Sequence, residues 1–321
     1  MVTKHLPSTP DAQSALTWKS NATIGYYNNM TSIINVVLPA FFVIFVGFLV
    51  GKLLKISISP VVELALYVAV PALVLTSLLE QDIILLDAAR VWAAAFAVQA
   101  GCFAAAVAVF KALRQKHSGL YMAIALMNTV NIPFPIIYLA YGEEGLVVAT
   151  LFYLPNVIMM YTLGIYVYSG KGGKESIKEV LRQPVVYAAV LGLVFNFLDV
   201  PMPELVMNSL GLVAQLAVPI VLITLGYNLS KIRLDSIPTT VLASVLRIGV
   251  GLGLGLLMAN VLGLEGIARS VVIIISAMPA AAQNSILATR YNNEPELVSS
   301  VVFLTTAASL VIIPLLLKFF G

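Results

Sequence analysis

Ten stretches of this chain are apolar for about as long as a helix needs to cross a lipid bilayer, roughly 20 residues. They run over 32–54, 60–79, 86–110, 119–141, 145–168, 184–198, 205–229, 237–262, 268–289 and 296–319. Inside hydrocarbon every backbone N–H and C=O must be paired within the protein, which leaves few folds open to such a chain. Of its 321 residues, 60% are hydrophobic and 10% charged, against about 25% charged in soluble domains. Mean hydropathy is +0.99. The expectation is an all-α, multi-pass membrane protein in contact with lipid, in a cell membrane.

The loops orient the runs, because Lys and Arg collect on the cytoplasmic side of a membrane. The loops after runs 1, 3, 5, 7 and 9 hold Lys52, Lys55, Lys111, Arg114, Lys116, Lys171, Lys174, Lys178, Arg182, Lys231, Arg233 and Arg290. The other side holds Lys4, Lys19, Arg90, Arg269 and Lys318, with acidic residues from Glu80 to Glu204. Both termini are therefore expected to be extracytoplasmic. The order is a polar tail (1–30), five spans (31–169), a cytoplasmic loop (170–183) and five more spans (184–321). The tail lacks the apolar core of a signal peptide; its Asn21 and Asn29 sit in glycosylation triplets.

Composition also excludes functions. A net charge of +3 spread over loops does not suggest nucleic-acid binding. One cysteine, Cys102, and two histidines, His5 and His117, leave almost nothing from which to build a metal site, a disulfide or a catalytic triad. No cofactor is implied. Gly249, Gly251, Gly253 and Gly255 alternate without matching a dinucleotide motif and read as close helix packing.

Two runs carry residues that a membrane helix does not want. Asn128-Thr129-Val130-Asn131-Ile132-Pro133-Phe134-Pro135 interrupts span 4, and Met278-Pro279-Ala280-Ala281-Ala282-Gln283-Asn284 interrupts span 9. Proline removes a backbone donor and clashes with the preceding turn. The freed carbonyls must be buried in protein or line a cavity. Interrupted spans at corresponding places in two halves are the best sequence pointer to a transport site. The halves repeat as well. Ala69-Val70-Pro71 returns as Ala217-Val218-Pro219, offset 148 (71 to 219), and Tyr141-Gly142-Glu143-Glu144 loosely as Tyr291-Asn292-Asn293-Glu294, offset 150 (141 to 291). With five spans per copy, the second copy must be inverted.

Site candidates follow from these stretches. Asn128, Asn131, Gln283 and Asn284, with Pro135 and Pro279, are the substrate-site candidates: the amides either satisfy the carbonyls freed by the prolines or contact a substrate or ion, and contact is the expectation for Asn131 and Asn284. Thr76 and Thr224, following Pro71 and Pro219, are candidates for a cavity wall. Arg247 is an intramembrane cation, which must pair or reach toward the cytoplasmic side; structural anchoring and attraction of anions stand equally. Spans carry no deep Asp or Glu, so Asp87, at the outer start of span 3, is the best remaining proton or cation ligand.

These residues resemble the auxin efflux carrier family, which includes plant PIN carriers and bacterial malate and malonate permeases. The resemblance rests on Asn128-Thr129 followed by Pro135, and on Tyr153, Asn156 and Tyr161-Thr162-Leu163-Gly164 in span 5. Pro203, Pro219 with Leu225-Gly226, and Met278-Pro279 through Ala288-Thr289-Arg290-Tyr291 complete it. It covers roughly residue 35 onward. Pro133 departs from the glycine usual at that place. The resemblance implies a fold similar to bile-acid sodium symporters and NhaA-type antiporters, with spans 4 and 9 crossing near Pro135 and Pro279. Spans 3, 4, 5, 8, 9 and 10 would move against a scaffold of spans 1, 2, 6 and 7, through which relatives often form homodimers. The function expected is a secondary transporter of small organic anions such as carboxylates, working by an elevator motion and not an enzyme. A sodium-coupled organic-anion symporter and a membrane receptor using the same pocket are the alternatives.

Overall fold

The structure is a computed structural model that describes residues 30–54, 56–80, 85–170, 184–231 and 236–320. Residues 1–29, with Asn21 and Asn29, and the loop from Lys171 to Gln183 lie outside the described residues. Among those described, the chain is helical: α1 (Met30–Leu53), α2 (Ser59–Glu80), α3 (Leu85–Ala112), α4 (Ser118–Ala125), α5 (Pro133–Ser169), α6 (Pro184–Phe197), α7 (Glu204–Leu229), α8 (Ile237–Val261), α9 (Gly266–Ser276), α10 (Ala282–Arg290) and α11 (Pro295–Phe320). Six of these, namely α2, α3, α5, α7, α8 and α11, are long and apolar enough to cross a membrane.

Apolar runs 4 and 9 are each two helices with a gap between them. The run over 119–141 becomes α4, an unwound stretch and the first part of α5; the run over 268–289 becomes α9, an unwound stretch and α10. α5 continues through Gly142, whose φ of 65° and ψ of −154° break the helix and redirect the chain. A side chain is strained at that φ, so glycine suits the position. Prolines elsewhere are absorbed locally. A π-helical turn over Ala65–Ala69 precedes Pro71 in α2, and a turn at Gln215–Leu216 precedes Pro219 in α7.

The helices pack in two groups. In one, α1 lies along α7 and α2 lies between α6 and α7. In the other, α3 and α8 pack together and hold α4, α5, α9 and α11 around them, with α10 against α11. The helices of the first group touch backbone to backbone. A Cβ on Gly226 would sit 1.8 Å from the Ile44 carbonyl oxygen, and one on Gly47 would sit 2.1 Å from that of Ile223. Small residues at such contacts let membrane helices approach closely. In the alternating glycines of α8 only one face is used this way. Gly251 and Gly255 lie against Ser276 of α9, while Gly249 and Gly253 face open space.

Glu294, on the basic side, fixes the start of α4. Its carboxylate accepts the Gly119 N–H at 3.0 Å and pairs with His117 Nδ1 at 2.5 Å. An acidic group suits the positive end of a helix.

The glycine geometry predicts opposite results for two similar substitutions. Gly226→Ala lowers the thermal unfolding midpoint of the purified protein, the overpacking costing about 1–3 kcal/mol. Gly253→Ala, with space for the methyl group, leaves the midpoint equal or slightly higher.

Candidate functional site

The two unwound stretches cross and pair as a short antiparallel bridge between Met127 and Ala280. The Asn128 N–H donates to the Pro279 carbonyl at 2.7 Å, and the Ala281 N–H to the Leu126 carbonyl at 2.9 Å. Flanking helices satisfy what remains. Asn156 of α5 donates its side-chain amide to the Met127 carbonyl at 3.2 Å. Thr305 of α11 accepts the Ala280 N–H at 3.1 Å. An unpaired peptide group in hydrocarbon costs several kcal/mol, so these partners hold the crossing together.

α4 and α9 both end at this crossing, and their last carbonyls converge on Arg247 of α8. One guanidinium nitrogen donates to Ile124 at 2.5 Å and Ala125 at 3.1 Å; the other donates to Ser276 at 2.6 Å. Arg247 is fully buried, so it does not reach out to the membrane surface. Both terminal nitrogens donate to backbone carbonyls, and the residue does not line the cavity described next.

On another side of the crossing lies a cavity of about 130 Å³, lined by both helix groups. From the helix group that holds the crossing come Asn128, Thr129, Asn131, Tyr153, Asn156, Tyr161 and Gln283; from the other group come Val70, Val221, Thr224 and Asn228. The lining holds no Lys, Arg, His, Asp or Glu. It extends from the crossing toward Val62 and Asn228, at the ends of α2 and α7 that adjoin Lys55 and Lys231. A second cavity, of about 370 Å³, opens toward the acidic side and is lined by Thr76, Glu80, Tyr138, Glu143 and Gln215 among others. Between the two is a thin apolar layer built by Val70, Leu73, Val130, Phe134, Pro135, Ala217, Val218 and Val221.

Comparison with known proteins bears on what this arrangement serves. The pattern of the family described as membrane transport protein matches residues 32–317, nearly the whole chain. The chain belongs to this family, that of the auxin efflux carriers. It is also similar to two archaeal proteins named as uncharacterized transporters. One, from Methanothermobacter thermautotrophicus, is 29% identical over 83% of this chain and 93% of its own length. The other, from Methanocaldococcus jannaschii, is 29% identical over 64% of this chain and 70% of its own.

In this membrane transport protein the sequence candidates fall in different places. Asn128, Asn131, Gln283 and Thr224 come together on the central cavity. Asn128 accepts the Val130 and Asn131 N–H groups on Oδ1, at 3.3 and 2.9 Å. Its Nδ2 is buried without a hydrogen-bond partner, and so is the Thr224 hydroxyl. Asn284 is fully buried and off the cavity; it donates to the Leu126 carbonyl at 3.1 Å and accepts the Tyr168 hydroxyl at 3.2 Å. Thr76 lines the acidic-side cavity, its hydroxyl bonded to Ala72 and Leu73 of its own helix. Asp87 is exposed and pairs with Arg90 at 3.3 Å.

The prolines need one correction. Pro279 is at the crossing, but Pro135 is not: the partner there is the Met127–Asn128 pair, and Pro135 sits in the first turn of α5, in the apolar layer. The chain unwinds early because Pro133, at the first helical position, and Pro135 disfavour helix in the residues before them. They also strip the start of α5 of donors. Neither has an N–H, and the Phe134 N–H donates to Val130 at 3.2 Å. At the start of α10 the Asn284 N–H donates to Ala281 at 3.0 Å, while Ala282 and Gln283, which precede it and carry N–H groups, line the cavity. Only one of the two half-helix N-termini therefore offers N–H groups to an anion. Asn156, absent from the site candidates, was detectable by the same reasoning, as an amide in mid-span.

Two asparagines, Asn284 fully buried and Asn131 half-buried, should separate structure from site. Asn284→Ala leaves the Tyr168 hydroxyl unpaired and lowers the unfolding midpoint, at about 1–3 kcal/mol. Asn131→Ala, on the cavity wall, leaves the midpoint unchanged.

Proposed function

We propose that this protein is a secondary transporter of small organic anions bearing one carboxylate and an apolar body. The observation that carries this reading is the pair of buried, unpartnered polar groups, Asn128 Nδ2 and Thr224 Oγ1, on residues that line a cavity without any charged side chain, one from each helix group. An unmet donor in a buried site costs free energy until something accepts from it. A carboxylate accepts from amide and hydroxyl groups and from the free N–H groups of the α10 start, whose dipole favours one negative charge. A second carboxylate would find no cation in the lining, and its charge would have to be met by neutral groups alone. The volume of about 130 Å³, some four waters' worth, suits a small acid and not a steroid-sized one.

Two inverted five-helix copies support an elevator motion. Beyond the sequence offsets, Asn156 in span 5 and Thr305 in span 10, separated by 149 positions (156 to 305), hold the two paired strands of the crossing from equivalent helices. The α1–α7 contact mirrors α6–α2, and α3–α5 mirrors α8–α11. In this reading α1, α2, α6 and α7 are the scaffold and the other group slides along it carrying the cavity. The apolar layer around Leu73, Phe134 and Val218 closes the acidic side while the basic side is open. With the Lys and Arg side cytoplasmic, this is an inward-open carrier.

Thermal-shift measurements on the purified protein with a panel of small acids test the reading. Ligand at 100-fold its Kd stabilises by about 2.7 kcal/mol. Monocarboxylates such as butyrate or phenylacetate are expected to raise the midpoint, and malonate and malate to raise it less. Thr224→Val and Asn128→Leu should abolish that shift and the matching uptake into proteoliposomes. Stronger stabilisation by dicarboxylates, or undiminished uptake by both variants, would overturn it.

A further inference from the structure

A carrier built on broken helices gathers carbonyl groups at mid-membrane, and half-helix C-terminal ends are where such carriers commonly coordinate Na⁺. Here those ends are α4 and α9. Each helix end carries roughly half a negative charge, so two together present about one. The carbonyls of Ile124, Ala125 and Ser276 that express this charge are all bonded by the Arg247 guanidinium. One fixed positive charge meets about one unit of negative dipole charge. No carboxylate pairs with Arg247 among the described residues.

The surroundings are shaped to the guanidinium. A Cβ on Gly251 would fall 2.1 Å from its Nη2 and 2.1 Å from the Ser276 carbonyl oxygen, so only glycine at that position leaves room for the group. Gly255, one turn on, lets α8 lie against Ser276 with a Cβ position 2.5 Å from the serine Cβ. The planar fork of arginine donates to several fixed acceptors at once, which one ammonium group does less well.

We infer that Arg247 is a tethered counter-cation: it occupies the place where an inorganic cation would bind between the two half-helix C-termini, and the crossing forms without sodium or potassium. Arg247 acts as a positioning residue through the backbone, and the inference holds whatever acid the cavity accepts.

Thermal unfolding of the purified protein tests this with simple ions. The wild-type midpoint should be the same in sodium, potassium and choline chloride at equal ionic strength. Arg247→Ala should lower it by roughly 5–10 °C and open the carbonyl cluster. Millimolar guanidinium should then recover much of the loss, and sodium or potassium should stabilise this variant saturably where choline does not. Arg247→Met, which keeps volume but not charge, should be destabilised and gain nothing from guanidinium. If Arg247→Ala does not fold, the wild type and Arg247→Met still decide. Saturable sodium stabilisation of the wild type, or an Arg247→Met protein as stable as wild type, would overturn the inference. So would an Arg247→Ala protein indifferent to every cation.

Discussion

Everything in this molecule depends on satisfying backbone groups at a place where water cannot. Two helices stop in mid-membrane, and their unwound continuations cross. The peptide groups there are paired strand to strand, by Asn128 with Pro279 and Leu126 with Ala281, and then by Asn156, Thr305 and Asn284 from neighbouring helices. The carbonyls that no N–H can reach are taken by Arg247. Charge, hydrogen bonds and the glycines of α8 that admit the guanidinium are one construction. Loss of any part leaves costly groups exposed to a low dielectric.

The same construction leaves the cavity with its chemistry. Because the negative helix ends are neutralised on the Arg247 side, the cavity side keeps the open N-terminus of α10 and the unpartnered groups of Asn128 and Thr224. Pro133 and Pro135 remove the corresponding donors from the start of α5. The site is thereby asymmetric between the two half-helix starts. It lies between two helix groups, with a second cavity beyond an apolar layer. That is the arrangement from which a carrier could alternate access.

Much of this was legible from residues. Apolar length located the helices closely, because hydrocarbon thickness fixes it, and the amide-and-proline stretches of spans 4 and 9 marked the breaks. The family resemblance named the right family. Less legible was which amide does what. Asn128 and Asn284 look alike in sequence, yet one lines the cavity with its Nδ2 unpartnered and the other spends its amide on Leu126 and Tyr168. That depends on three-dimensional partners contributed by distant helices. The direction taken by Arg247 was equally hidden, since its acceptors are backbone carbonyls that any sequence would carry. Pro135 misled because a proline acts on the residues before it, which moved the crossing to Met127.

The most direct test is whether the two unwound strands meet. In a Cys102→Ala background, cysteines replacing Met127 and Ala280, the paired residues of the bridge, should form a disulfide in native membranes on mild oxidation. Cysteines replacing Pro135 and Ala280 should not. Cross-linking of the second pair, with the first remaining reduced, would contradict the crossing on which the cavity, the amide partners and the role of Arg247 all rest.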